Sequence, residues 1–437
     1  METTNKPLTT LNIFSMKGVQ MRTFHLTWLA FFLCFFGWFG LAPLMSVIKD
    51  DLGLTKPQIG NIIIASVTAT VVARIIIGKL CDSWGPRKTY TALLGICSIP
   101  VMTVGLVHSY EGFLIFRLAI GVIGASFVIT QYHTSVMFDK KIVGTANAVA
   151  GGWGNLGGGI TNMVMPMIFA GFVGLGYLPA SAWRLAMIIP GVALLLFSFL
   201  YYRYTRDTPA GNFDELTSNP ANQAVKTKGS LVLAMKDPRT WGLFLAYGAC
   251  FGIEITFDNV AAMYFYDHFN TTLAMAGILA GLFGFMNLFA RAVGGIVADK
   301  IGLKYGMIGK GRLLAGLLAL EGIGMALFAN SGSLVTAIIT MLTFAMFLKM
   351  ANGVTYAIVP FVNQTAIGSV SGIVGAGGNV GAVLAGFLFK SSEISYSQAF
   401  MYIGVSIACI AAVVALINFD KSHAVGLQSS PLEVAEI

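Results

Sequence analysis

Charged side chains are scarce in this chain: they make up 11% of its 437 residues, against 56% hydrophobic residues. A soluble globular protein carries roughly 25% charged residues. A water-soluble fold is therefore excluded, because a chain of this size could not hide so much apolar surface, and lipid must be its solvent. Cysteine is scarce as well. Cys34, Cys81, Cys97, Cys250 and Cys409 are scattered, mostly in apolar runs, with no CxxC pair and no metal-ligand spacing. They read as small packing residues, and no metal site is expected. No cofactor motif and no nucleophile–base pair stand out, which argues against a membrane enzyme. Residues 1–22 lack a short apolar core ahead of a cleavage site. No removable signal peptide is expected, so the first hydrophobic run should remain as a helix. The formal charge is +8, but the basic residues sit in short loops rather than in one patch. No nucleic-acid partner is expected; the pattern fits membrane topology.

What is present is a series of long apolar runs. A bilayer core needs about 20 apolar residues per helix. Candidate spans lie near 24–48, 58–80, 89–108, 112–138, 143–174, 184–204, 240–266, 272–298, 312–330, 333–361, 366–389 and 396–418. The predicted fold class is an all-α integral membrane protein with twelve transmembrane helices. Residues 1–23 form an N-terminal segment, 24–204 a first six-helix half, 238–418 a second half and 419–437 a polar tail. The stretch 205–237, rich in Asn, Thr, Asp and Pro, reads as a linker. The N-terminus and the loops after helices 2, 4, 6 and 8 carry Lys79, Arg87, Lys88, Lys140, Lys141, Arg203, Arg206, Lys226, Lys228, Lys300, Lys304 and Lys310. The opposite loops carry few, namely Lys49, Lys56 and Lys390. Both termini and the linker are therefore predicted to be cytoplasmic.

The two halves repeat each other. Helix 2 contains Arg74, Gly78, Asp82 and Gly85; helix 8 contains Arg291, Gly295, Asp299 and Gly302, and both series run 0, +4, +8, +11. Helix 5 carries Gly144, Gly151, Gly154, Asn155 and Gly157, matched in helix 11 by Gly368, Gly375, Gly378, Asn379 and Gly381 at a constant offset of 224. The halves are thus pseudo-symmetric, and in such architectures the substrate site lies between them near the membrane midplane.

Arg74 lies eight residues before Asp82, which begins the loop, so it is about 12 Å deep at 1.5 Å per residue. Arg291 has the same depth. An arginine there costs about 2.5–3.5 kcal/mol or more and cannot shed its charge. Two repel each other unless something negative lies between them. A planar oxyanion suits that role, because guanidinium donates paired, parallel hydrogen bonds to it; the alternative is that each pairs with a structural carboxylate or carbonyl. The runs GGWGNLGGG (151–159) and GAGGNVGAV (375–383) allow close helix packing. Packing does not explain Asn155 and Asn379, which are able to donate to an anion or to clamp a neighbouring backbone. No phosphate loop is implied, since neither run ends in Lys-Ser/Thr. On helix 7, Tyr247, Phe251, Glu254 and Asp258 share one face. Tyr247 could donate to the anion and Phe251 wall the site; the acids could bind protons, neutralise an arginine, or form a packed polar stripe. Glu321 and Lys349 are further intramembrane ionisable residues. Helix 9 is expected at the periphery, which makes Glu321 a structural residue, and His133 reads as a packed histidine.

GKLCDSWGPRK (78–88), with Gly78, Asp82, Gly85 and Arg87, resembles the helix 2–3 loop motif of the major facilitator superfamily, and Arg117, Gly121 and Gly124 resemble its helix 4 motif. GGWGNLGGG and GAGGNVGAV resemble the paired nitrate signatures of the nitrate/nitrite porter family, with signature glycines Gly151, Gly154, Gly157, Gly375, Gly378 and Gly381. The stretches 42–61, 256–270 and 360–383 resemble the branch of plant and algal high-affinity nitrate transporters. The resemblance implies a major facilitator fold. It implies that Arg74 and Arg291 bind the anion, that Tyr247 hydrogen-bonds it, that Phe127 and Phe251 sandwich it, and that Asn155 and Asn379 are the signature asparagines. Glu254 matches an acidic position of the symporter branch, so it and Asp258 are the proton-coupling candidates.

The expected function is secondary transport of nitrate, with nitrite as a second substrate and protons as the coupling ion. Nitrate/nitrite exchange is the main rival, and a nitrate-sensing receptor a further one; glycine-rich hinges in both halves favour a moving carrier. No cofactor is expected. The chain is expected to act as a monomer in a plasma or bacterial inner membrane.

Overall fold

The computed structural model describes residues 6–217, 230–271, 273–390 and 393–420, and these are almost entirely helical. The first half comprises α1 (Gly18–Phe39), α2 (Lys56–Trp84), α3 (Pro86–Thr103), α4 (Tyr110–Met137), α5 (Val143–Gly174) and α6 (Pro179–Tyr204). The second half opens with α7 (Pro238–Phe269). It continues through Leu273–Phe285, a 3₁₀ turn Met286–Leu288, and Ala290–Ala329. The apolar helical stretch Ile278–Ala329 has 52 residues. At 1.5 Å per residue it is about 78 Å long, more than twice a bilayer core of about 30 Å. It folds back at Gly306, where φ is 63° and ψ −158°, a conformation open to glycine. We call the arm before Gly306 α8 and the arm after it α9. Then follow α10 (Leu334–Val362), α11 (Ile367–Lys390) and α12 (Tyr396–Ala415). With that bend, the eleven apolar helical stretches among the described residues make twelve crossings.

Local chemistry sets the boundaries. Proline starts α3, α6 and α7 and is second in α2, where its missing N–H costs nothing. Thr55, Ser333 and Ser395 close capping boxes on α2, α10 and α12. The first helix departs from expectation at both ends. It begins at Gly18 rather than near 24, and Gln20 is held inside by donating to the Lys6 carbonyl at 2.8 Å. It stops before Pro43, which sits in a 3₁₀ turn ahead of a separate short helix, Met45–Leu52, because proline supplies no N–H to continue. The linker holds two short helices, Phe213–Thr217 and Ser230–Lys236; its residues 218–229, and the tail from 421, lie outside the described residues. Asp207 pins the start of the linker to the loop between α2 and α3. It accepts from the backbone N–H groups of Arg87 (2.8 Å) and Phe213 (3.1 Å), while Gly85, with φ of +87°, leaves room for its carboxylate. The Arg87 guanidinium carbon lies 4.0 Å over the Tyr202 ring.

The halves meet where α2 packs on α11 and α5 on α8. An even number of crossings puts both ends of the bundle on one face, and there the seam is tight. A side chain on Gly78 would run into the Gly368 carbonyl, and one on Gly295 into the Gly144 carbonyl at 2.6 Å. Asp82, at the end of α2, accepts from the N–H groups of Gly368 and Ser369, both at 3.0 Å, and from the Ser369 hydroxyl at 2.7 Å. Its repeat mate Asp299 accepts from the Thr145 N–H (2.6 Å) and hydroxyl (2.9 Å) and pairs with Lys310 at 3.1 Å. Each half thus supplies a carboxylate to the positive N-terminal end of a helix in the other. Towards the opposite face, Gly60, Gly159, Gly171, Gly281 and Gly386 have open space where a Cβ would stand.

Candidate functional site

Halfway along the seam, four aromatic rings form a block. Phe127 of α4 and Phe251 of α7 stack with centroids 5.7 Å apart and planes 14° from parallel. Tyr247, one turn earlier on α7, stacks on Phe251 at 4.8 Å and 8°. Tyr356 of α10 meets Phe127 edge-on at 4.7 Å and Tyr247 at 5.0 Å, and its hydroxyl donates to the Ser371 carbonyl at 3.2 Å. Short 3₁₀ segments just ahead of Phe127 (Val122–Ala125) and Arg291 (Met286–Leu288) retune the helix faces that present them.

Both arginines flank these rings, and each lies nearer the ring of the opposite half. The Arg74 guanidinium carbon is 4.9 Å from the Phe251 centroid and 5.5 Å from that of Phe127. For Arg291 the distances are 5.3 Å to Phe127 and 5.8 Å to Phe251. Such contacts stabilise a desolvated cation. Arg74 is fully buried; its Nε donates to the Gly124 carbonyl at 3.0 Å and its Nη1 to the Gly375 carbonyl. Arg291 is 1% exposed and its Nη2 donates to the Tyr247 hydroxyl at 3.2 Å. Arg74 Nη2 and Arg291 Nη1 are buried with no acceptor among the described residues, and neither guanidinium makes an ion pair there. Of the alternative to an anion site, the structural carboxylate finds no support among the described residues, whereas the backbone carbonyl holds in part: Arg74 spends two of its donors on carbonyls and keeps a third without an acceptor there.

The signature glycines divide by face. Gly151 and Gly375 make room for the arginines: a Cβ on Gly151 would stand 3.5 Å from Arg291 Nε, and one on Gly375 would stand 3.2 Å from Arg74 Cδ. Gly154 and Gly157 abut Phe31 and Phe32 of α1, whereas Gly378 and Gly381 abut Phe251, Tyr247 and Gly248 of α7. Those tight contacts lie within a half, not across the seam. The asparagines do cross it. Asn379 donates to the Val67 carbonyl of α2 at 3.4 Å, and Asn155 points its amide at Glu254 of α7 at 3.5 Å.

Glu254 is buried in a polar knot. It takes amide donors from Asn287 (2.7 Å), Asn352 (2.6 Å) and Asn155, and it pairs with Lys349 at 2.8 Å. Asp258, one turn on, is half-buried and makes no hydrogen bond or ion pair among the described residues. Glu321 of α9 is fully buried, and neither carboxyl oxygen has a donor among the described residues. His133 is packed as expected, bound to the Tyr201 hydroxyl and the Arg206 carbonyl, both at 2.6 Å. Sequence reasoning passed over Tyr356, Asn287 and Asn352. The last two left a signal: Asn287 stands one turn before Arg291, and Asn352 three residues after Lys349 in an otherwise apolar run.

Residues 27–386 match the sequence profile described as Major Facilitator Superfamily. The chain is 40% identical over 405 residues to the high affinity nitrate transporter 2.5 of Arabidopsis thaliana, covering 92% of this chain and 80% of that one. It is 31% identical over 456 residues to the nitrate/nitrite transporter NrtP of Picosynechococcus sp., covering 83% and 84%. Among solved structures, the proton:xylose symporter XylE superposes with a TM-score of 0.67 at 14% identity, over 91% of this chain and 94% of that one, a likeness of fold alone.

Proposed function

This chain belongs to the nitrate/nitrite porter family of the major facilitator superfamily, and on that premise we propose that it is a secondary carrier moving nitrate, and nitrite, across a cell membrane by alternating access. One observation carries the reading: two buried arginines, one from each half, each end in an N–H group without an acceptor among the described residues, beside a shared pair of stacked rings. A planar oxyanion accepts from both forks and cancels their repulsion. Lying flat between the rings it needs about 7 Å, twice an aromatic contact of about 3.5 Å. Phe127 and Phe251 then separate by about 1 Å from their 5.7 Å stack. Since one ring belongs to each half, occupancy acts on the seam directly. With both termini in the cytoplasm, as the Lys and Arg distribution favours, the tight face is the cytoplasmic one and the site is reached from outside. The signature asparagines serve in this scheme as cross-seam ties, and the chain works as a monomer in a plasma or bacterial inner membrane.

Nitrate uptake against an inside-negative potential costs about 2.3 kcal/mol per 100 mV, so we assign the coupling to protons, with Glu254 and Asp258 as the candidate sites. A second reading has its own support. Glu254 already holds a lysine and three amides, the environment of a structural carboxylate, and this favours nitrate/nitrite exchange. Flux of labelled nitrate into liposomes separates them. Symport concentrates nitrate under an imposed pH gradient; exchange ignores the gradient and requires nitrite inside. No flux under either condition refutes the carrier and leaves a sensor.

A further inference from the structure

The repeat that sets the two anion-site arginines extends to the start of each half, and there its symmetry is broken. Arg74 and Arg291 lie 217 positions apart. The same offset carries Arg22, Thr23, Phe24 and Leu26 of α1 onto Arg239, Thr240, Trp241 and Leu243 of α7. The two copies are built alike. Thr23 and Thr240 are both fully buried, and neither hydroxyl has a partner among the described residues. Arg22 Nε donates to the carbonyl of Tyr204, the last residue of α6, at 2.9 Å. Arg239 Nη1 donates to the carbonyl of Phe419, just beyond α12, at 3.3 Å. Each arginine thus ties the first helix of its half to the end of the last.

The counter-ion is what differs. Two residues before Arg239 stands Asp237, whose carboxylate accepts from Nε at 3.0 Å and from Nη2 at 2.6 Å, and Nη2 also meets the Val362 carbonyl at 2.7 Å. Two residues before Arg22 stands Gln20, a neutral amide that donates to the Lys6 carbonyl. Arg22 is half-buried, and apart from Nε it has no acceptor and no ion pair among the described residues. Arg203 of α6 is exposed, with its guanidinium carbon 5.7 Å from the Tyr204 ring centroid, and it likewise has no carboxylate there. Two guanidinium groups from adjacent helices therefore converge on Tyr204, one at its carbonyl and one at its ring. Outside this corner lies lipid. Leu196, Phe199, Leu200, Tyr202 and Tyr204 are exposed along α6, and so is Phe14 just ahead of α1. Tyrosines at the end of a spanning helix mark the head-group level. With both termini in the cytoplasm, as the Lys and Arg distribution favours, this is the inner leaflet, where anionic lipids collect.

We propose that the corner between α1 and α6 binds the phosphate of an anionic phospholipid. Its oxygens accept from the open Nη groups of Arg22 and from Arg203, so the lipid supplies from outside the negative charge that Asp237 supplies within the second half. Arginine suits the task, because its planar fork matches two phosphate oxygens and is weakly hydrated. The site stands apart from the anion path and holds whatever ion the protein carries.

The test measures lipid adducts in native mass spectra of the purified full chain, titrated in detergent with short-chain phosphatidylglycerol or, for comparison, phosphatidylcholine. Phosphatidylglycerol is expected to bind about tenfold more tightly, the worth of one charged hydrogen bond. Arg22→Gln should erase most of that preference. Arg203→Gln gives up no hydrogen bond among the described residues, so it should lose the preference without a fall in melting temperature, and it decides the matter if Arg22→Gln does not fold. Lys300→Gln and Lys304→Gln remove charge from the same face of the second half and should leave the preference intact. Equal binding of the two lipids, an unchanged preference in the arginine variants, or an equal loss in the lysine variants overturns the proposal. Inorganic phosphate that displaces phosphatidylglycerol as well as added phosphatidylglycerol does would overturn it too, since the corner would then serve a soluble ion.

Discussion

Replacing Arg291 with lysine keeps the charge and removes the fork, and the structure says what that should cost. Arg291 spends Nη2 on the Tyr247 hydroxyl at 3.2 Å and keeps Nη1 without an acceptor among the described residues. A lysine ammonium placed on the same stem cannot reach the tyrosine and the anion with the parallel geometry of a planar group. One charged hydrogen bond is lost, worth about 1.5–3 kcal/mol, and part of the contact with the Phe127 face goes with it. Nitrate affinity should therefore fall about 10- to 100-fold. Arg74→Lys should lose at least as much, because Arg74 also supports the carbonyls of Gly124 and Gly375. Isothermal titration of nitrate into purified protein reads the change directly, and a melting curve confirms that each variant is folded. Folded Lys variants of both positions that bind nitrate within threefold of the unmodified protein would refute the anion site.

Other outcomes follow from neighbouring geometry. The stacked rings should admit flat anions only, so nitrite should compete with labelled nitrate while sulfate and phosphate should not; equal competition by sulfate contradicts the slot. Gly154→Leu should lower stability by about 1–3 kcal/mol through overpacking, because its Cβ would collide with the Cδ1 edge of Phe31. An unchanged melting temperature with full transport would show that the α1–α5 contact is loose. Glu254→Gln should destabilise the protein by about 3–5 kcal/mol, since it strands Lys349. Adding Lys349→Gln should restore folding, and the double variant should exchange nitrate for nitrate without concentrating it under a pH gradient. Retained accumulation would remove Glu254 from the coupling path.

Much of this was legible in one dimension because the chain repeats itself. The equal spacing from Arg74 to Asp82 and from Arg291 to Asp299 put both arginines at one depth and both carboxylates at the tight face. What stayed hidden is rotational. These helices are apolar all round, so no amphipathic stripe tells which face looks inward. The signature glycines carry no mark of which helix each one meets: Gly154 abuts Phe31 of α1, and Gly378 abuts Tyr247 and Phe251 of α7. Glu321 was expected to be a structural residue on a peripheral helix; nothing in the sequence marks it as fully buried on α9 with neither carboxyl oxygen meeting a donor among the described residues. The Glu254 knot assembles from α5, α7, α8 and α10, and four separate apolar runs carry no mark of their convergence. The α8–α9 connection escaped for a simpler reason: its loop is itself helical apart from Gly306.

The crossed arrangement at the seam also bears on electrical insulation. Arg74 leans on a ring of the opposite half and Arg291 does the same in return, while the two rings lean on each other. With no ion between them the two aromatic faces stack on one another, 5.7 Å between centroids, and present apolar surface at the middle of the seam. A carrier that must cycle back without cargo is most at risk of leaking at that moment. In the proposed carrier the pair that seats the anion also closes its path, so the empty protein does not short-circuit the voltage across the membrane it spans.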